Sequence, residues 1–215
     1  MENSILFANV RVLHAACFAP NVKILIGNRE IVKELPFGAA SGYSRLGGGF
    51  RRVSVLSAAD GREVLSDTVF FPNGSQWTLV VCNTMNRLKL VAMEETDCKA
   101  GKGKGCIRFA NFSFDDGPFD LMNGKMSIFS CVQPCMFTSA LPAAAGDYEL
   151  WLAKSEECLR EYTDEAAAQN AENMLVKPEP AGDIFLRVIP GRRYTVCVLG
   201  TCGQELPLEI KTLEY

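Results

Sequence analysis

Val22-Lys23-Ile24-Leu25-Ile26-Gly27-Asn28-Arg29-Glu30-Ile31-Val32 decides the fold class. Val22, Ile24 and Ile26 stand two apart, the spacing that sends every second side chain to one face of a strand. Gly27-Asn28 tolerates positive φ and suits a two-residue hairpin turn, and Ile31 and Val32 lie on the return strand. The same period extends outward on both sides. Upstream, Val10 and Val12 face one way and Arg11 the other. Downstream, Val53 and Val55 alternate with Arg52 and Ser54 until Asp60-Gly61 turns the chain, and Val64 to Phe71 lead back to Pro72-Asn73-Gly74. Trp77, Leu79 and Val81, then Leu88, Leu90 and Ala92, complete the set. Roughly seven short strands with a turn about every ten residues are the signature of an immunoglobulin-like β-sandwich.

The chain repeats this plan. At an offset of 97 residues Val22 meets Phe119, Ile24 meets Leu121, Gly27 meets Gly124 and Gly49 meets Gly146. Past the middle of each copy the offset becomes 117, where Gly74 meets Gly191 and Trp77-Thr78-Leu79-Val80-Val81 meets Tyr194-Thr195-Val196-Cys197-Val198. Two long copies imply two units with separate cores, because a solenoid needs about three or more short repeats. The expectation is an all-β chain of two tandem immunoglobulin-like β-sandwich domains, residues 1–95 and 106–215, joined by a linker over 96–105. The Gly-Lys alternation of that linker lacks the spacing of a phosphate-binding loop and reads as a flexible basic connector. The second copy is longer by the difference between the offsets, about 20 residues. Near 155–176 it turns Glu- and Ala-rich, with Thr163-Asp164-Glu165 as an N-cap and Pro178 and Pro180 as stops, so a short helical insertion is expected there.

Charge and hydropathy exclude several partners. Lys and Arg total 22 against 25 Asp and Glu, a net charge of −3, so no basic field is available to hold a nucleic-acid backbone. No run approaches the roughly 18 consecutive apolar residues of a membrane helix, and no membrane span is expected. Asn9, Arg11 and His14 interrupt the first apolar stretch, which lacks a signal-peptide shape. The expected location is cytoplasmic, with a cell or spore surface reached by another route as the alternative.

Candidate chemistry is thin, and no cofactor is implied. With one imidazole in the chain, a nucleophile and base reduce to Cys17 with His14, three residues apart at a strand end. A His placed there bonds loop backbone more often than it performs catalysis. Asp115, Asp116 and Asp120 offer carboxylate oxygens to a calcium ion, although Asp116-Gly117-Pro118 reads equally as a turn. Trp77 and Trp151, with Tyr43, Tyr148 and Tyr162, are candidates for a sugar-stacking platform, against the commoner core role of aromatics on alternating strands. The nine cysteines are expected mainly as reduced, buried thiols. Cys131-x3-Cys135 and Cys197-x4-Cys202 as paired metal ligands, and intermolecular disulfides, are the alternatives.

Arg11-Val12-Leu13-His14-Ala15-Ala16-Cys17-Phe18-Ala19-Pro20-Asn21-Val22 resembles the opening Arg-Phe-Val-His-Ala-Ser-Pro-Asp-Ala-Pro-x-Val of a bacterial family, domain of unknown function 4397, whose members commonly occur in tandem. Leu35-Pro36-Phe37-Gly38, Ser41-x-Tyr43, Gly49-Phe50 and Trp77-Thr78-Leu79-Val80-Val81 look like its later landmarks. In the second copy Asn111 stands where the family has His, and Asp115 and Asp120 match its two aspartates. In the first, Phe18 and Lys23 replace those aspartates and Cys17 replaces the proline. The resemblance implies a pair of β-sandwiches and no established reaction. Residues and resemblance together point to a non-enzymatic structural or protein-interaction module whose partner is another protein or a second copy of the chain. The alternatives are a carbohydrate-binding or surface-adhesion module, with a glycan as ligand, and a cysteine-based metal or thiol protein.

Overall fold

The structure, a computed structural model, describes residues 7–85, 87–95, 98–114, 117–155, 180–201 and 207–215. The chain divides into two compact units: Met1–Asp97 with Phe112–Asp115 and Leu199–Pro207, and Cys98–Asn111 with Asp116–Val198 and Leu208–Tyr215. The first unit contains β1 (Phe7–Ala15), β2 (Val22–Ile26), β3 (Arg29–Leu35), β4 (Ser44–Gly47), β5 (Gly49–Ser57), β6 (Glu63–Phe71), β7 (Gln76–Asn83) and β8 (Leu88–Glu94). They make two four-stranded sheets, ordered β4-β1-β7-β8 and β3-β2-β5-β6. Every pairing is antiparallel except that of β1 with β7. Val10, Val12, Leu79 and Val81 from one sheet interdigitate with Val22, Ile24, Val53 and Val55 from the other, all fully buried. The period of two in the sequence is therefore the inward stripe of a sandwich. Between β2 and β3 the two-residue turn falls at Gly27-Asn28, with Gly27 at φ +61°.

The second unit contains β9 (Lys104–Asn111), β10 (Phe119–Asn123), β11 (Met126–Val132), β12 (Met136–Phe137), β13 (Leu141–Ala144), β14 (Gly146–Lys154), β15 (Pro180–Val188), β16 (Arg193–Leu199) and β17 (Glu209–Glu214). Its sheets are β11-β10-β14-β15 and β12-β9-β16-β17, with β13 also paired to β9. Here β9 runs parallel to β16, as β1 does to β7. Phe109, Phe119, Leu121, Leu150, Leu152, Val196 and Val198 fill the core between the sheets. The strand bounds of β2, β3, β4 and β5 recur 97 residues later as β10, β11, β13 and β14, and those of β6 recur 117 residues later as β15. A single bridge between Leu13 and Ala40 recurs as the pairing of Ala110 with Phe137 in β12.

Two readings of the sequence change here. Lys104 and Gly105 belong to β9, and a disulfide joins Cys98 to Cys106, clipping to that strand a segment that looked like a loose connector. Gly105 serves close approach rather than flexibility: a Cβ at that position would lie 2.9 Å from the carbonyl oxygens of Ile189 and Arg192. The cysteines are accordingly not all thiols. Cys131 is disulfide-bonded as well, whereas Cys17, Cys82, Cys135 and Cys197 are buried thiols. Of the helical insertion expected near 155–176, residues 156–176 lie outside the described residues; Ser155 is buried and its N–H donates to Pro118 O at 3.0 Å. No helix among the described residues is long and apolar enough to cross a membrane.

Candidate functional site

His14, the residue with the most catalytic potential in the sequence, sits fully buried near the end of β1. The Ala16 N–H donates to its Nδ1 at 3.3 Å, which leaves Nε2 as the protonated nitrogen, and Nε2 donates to Pro20 O at 3.1 Å. Burial lowers its pKa, opposed in part by the bond to Pro20. The ring is therefore a neutral clamp across the β1–β2 loop with both nitrogens occupied. With both its nitrogens bonded to backbone, His14 is not placed as a base for Cys17, whose Sγ donates to Asn83 Oδ1 at 3.7 Å. Asn111 does the equivalent work in the second unit: its Nδ2 donates to Gly117 O at 3.1 Å and to Val132 O at 2.9 Å. Each clamp reaches six residues forward. A second pair of side chains matches too. Ser41 Oγ accepts from Val12 N at 2.9 Å, and Thr138 Oγ1 accepts from Phe109 N at 3.1 Å.

A buried polar group lies on the first unit's β4-β1-β7-β8 sheet. Arg11 Nη2 meets Glu95 Oε1 at 2.8 Å, and Arg11 Nε donates to Thr78 Oγ1 at 2.9 Å. Thr78 and Tyr43 both donate to the Glu95 carboxylate, and the Arg11 guanidinium lies over the Tyr43 ring, 4.8 Å from its centroid. Burial, followed by the bond to Glu95, pushes the Tyr43 phenol well above its usual range. In the second unit Arg108 on β9 and Thr195 on β16 hold the matching positions, and just past β17 a phenol takes the carboxylate's place, Tyr215 OH lying 3.2 Å from Thr195 Oγ1. These groups join strands; none is presented to a ligand.

The other sequence candidates separate cleanly. Trp77 belongs to the first core: its Nε1 donates to Ser75 Oγ at 2.7 Å and its ring meets Phe71 edge-on at 5.9 Å. Asp120 accepts the Cys131 amide at 2.7 Å, holding that residue at φ +54°, a left-handed conformation uncommon for a side chain with a Cβ. Asp115, Asp116 and Tyr162 lie outside the described residues. Tyr148 donates to Ala144 O at 2.9 Å. Among the described residues no three His, Cys, Asp or Glu side chains are grouped to hold a metal ion, and Cys131, being oxidised, is not a thiolate ligand.

Trp151 is different. Leu150 and Leu152 on either side of it in β14 point into the core, so alternation turns Trp151 to the outer face of the β11-β10-β14-β15 sheet. There it lines an open cleft of about 670 Å³, within the size range of ligand sites, together with Asn123, Glu149, Asp183 and Phe185. Cross-strand register sets the pattern: Trp151 is opposite Asp183, and Glu149 is opposite Phe185. Aromatic and acidic side chains thus alternate on a two-by-two lattice. Phe185 is 64% exposed. Trp151 Nε1 donates to Gly124 O at 2.9 Å, which ties the indole to the tip of the β10–β11 hairpin. One rung away, Arg187 donates to both oxygens of Asp147 at 2.8 and 3.2 Å, and this guanidinium holds the Asp147 carboxyl below the usual range. Of these cleft residues the sequence marks only Trp151. Glu149, Asp183 and Phe185 acquire meaning from the pairing of β14 with β15, whose connection runs through the long insertion, and Asn123 from that of β10 with β14.

No curated protein matches the chain. A family model described as Domain of unknown function (DUF4397) matches residues 8–122, which takes in every strand of the first unit and reaches into β10. That span is more than half of the sequence, and the chain belongs to this family.

Proposed function

We propose that the chain is a non-enzymatic binding module that engages another protein through the outer face of its second unit. The observation that supports this reading is the commitment of His14. Both ring nitrogens are bonded to backbone, burial disfavours its cation, and an asparagine performs the same task in the other copy. A residue that amide chemistry can replace is a structural clamp rather than a general base. The Cys98–Cys106 disulfide favours an oxidising setting such as a cell surface, since cytosolic thiols are kept reduced. A second reading, a glycan-binding or adhesion module, draws support from one feature, the outward Trp151 in its cleft.

The test is a comparison of wild type with a His14→Asn, Cys17→Ser variant on ester, phosphate, glycoside and peptide substrates. No turnover in either protein is expected. An activity present in the wild type and abolished in the variant overturns the reading. Cross-linking mass spectrometry in native material supplies the positive side: cross-links from Lys125 and Lys154 of the second unit to a second polypeptide are expected, and their absence counts against it.

A further inference from the structure

We propose that the Trp151 cleft receives a lysine or arginine side chain of a partner polypeptide, an inference that rests on the interaction-module reading and names the chemistry recognised. The lining decides this. Glu149 and Asp183 supply two carboxylates, and neither has a hydrogen-bond or ion-pair partner among the described residues. No Lys or Arg lines the cleft, and the nearest cation across the β14–β15 pairing, Arg187, is already held in two bonds by Asp147. The indole N–H, which would ordinarily donate to a sugar hydroxyl, is occupied by Gly124 O. Apart from the Asn123 amide, the polar side chains of the lining therefore only accept hydrogen bonds. A saccharide hydroxyl both donates and accepts, and here its oxygen lone pairs would find few donors. Ammonium and guanidinium groups only donate, and they gain in addition from the faces of Trp151 and Phe185. Two acids and two aromatics in diagonal alternation surround such a cation on four sides. The net charge of −3 adds a weak attraction of the same sign.

The experiment uses the full chain and a fluorescent Gly-Ser peptide carrying three arginines. Controls are the same peptide with citrulline at those positions, which keeps the shape and removes the charge, and neutral hexasaccharides of glucose and of N-acetylglucosamine. The arginine peptide is expected to bind more tightly than the citrulline peptide by about tenfold or more, and to weaken as salt rises through the range where the Debye length falls to roughly 8 Å and below. Trp151→Ala, and separately the Glu149→Gln, Asp183→Asn pair, each lower affinity about tenfold. The acid variants change only exposed side chains, so they remain informative if Trp151→Ala misfolds. Asp67→Asn, on the first unit, is expected to leave binding unchanged. Equal binding of the citrulline peptide, or equal loss on Asp67→Asn, overturns the inference. Saccharide binding lost on Trp151→Ala and kept in the acid pair overturns it in favour of a glycan. Failure here with native protein cross-links still present removes the cation site and leaves the interaction module standing; loss of both removes both.

Discussion

On the outer face of β5 and β6 three successive rungs pair Phe50 with Phe70, Arg52 with Thr68 and Ser54 with Ser66; the corresponding rungs on β14 and β15 pair Asp147 with Arg187, Glu149 with Phe185 and Trp151 with Asp183. In the first unit the two aromatics meet each other, their rings tilted by 49° with 4.9 Å between centroids, and Arg52 is bonded to Glu63 and Ser66. In the second the aromatics are separated and each faces an acid. The inward stripes of the two copies are interchangeable in kind, because a sandwich core asks only for apolar side chains of compatible volume. The outward stripes are under no such demand, so they are where one copy departs from the other. Function is better sought in that departure than in what the copies share.

The largest expected effect tests the buried difference. Glu95→Ala strands the Arg11 guanidinium and should cost the first unit about 3–5 kcal/mol, while Tyr215→Phe, at the corresponding place in the second unit, removes one hydroxyl and should cost about 1 kcal/mol. Trp77 reports the first unit and Trp151 the second, so urea titrations of single-tryptophan variants assign each loss to its unit. Equal losses would erase the contrast. Next comes the clamp. His14→Ala leaves Pro20 O and the Ala16 N–H unpaired and should cost about 1–3 kcal/mol, whereas His14→Asn, borrowing the second copy's solution, should recover much of that.

The same residue makes a pH prediction. The His14 pKa lies below its ordinary 6.5 in the folded chain, so below that pH the unfolded chain takes up the proton first. Its contribution to stability is complete above about 6.5 and declines as pH falls, by at most about 1.4 kcal/mol per pH unit. The melting temperature of wild type relative to His14→Asn should fall between about pH 6.5 and 5; parallel profiles would show that the imidazole does not titrate on unfolding.

Exchanging one outer rung sharpens the comparison directly. Trp151→Ser with Asp183→Ser, which writes Ser54 and Ser66 into the second unit, should lower arginine-peptide affinity by about tenfold with the fold retained by circular dichroism. The smallest effect belongs to the shared hydroxyls: Ser41→Ala and Thr138→Ala should each cost about 1 kcal/mol, by a similar amount in both units, through loss of the bond from Val12 N or Phe109 N.

Much of this was readable residue by residue. Alternation puts Trp77 in the stripe of Leu79 and Val81, and it packs there; Trp151, grouped with Trp77 as a platform candidate by the sequence, lies instead on the outer face and lines the cleft. The offsets of 97 and 117 residues, read from aligned positions alone, also relate the strand bounds of β2 to β6 to those of β10, β11, β13, β14 and β15. Less legible were the glycines of the basic connector, where Gly105 is required by backbone carbonyls contributed by residues more than eighty positions away. The cysteines misled for the same reason, since a thiol and half of a disulfide are the same letter until a partner is brought within reach.

Period, turn chemistry and internal repetition are properties of neighbours along the chain, and they suffice for the expectation of an all-β chain with inward apolar stripes, repeated once, and for Trp151 as a candidate. Which acid stands across from that indole, which ring stands across from Glu149, and which carbonyl receives its N–H depend on the register between strands joined through a long insertion and on the tip of a separate hairpin. Spacing within a strand carries no information about such register. It is selected when the whole sheet closes over its core, because a slip of one residue would turn the buried face outward, and only then do four unrelated positions become a site.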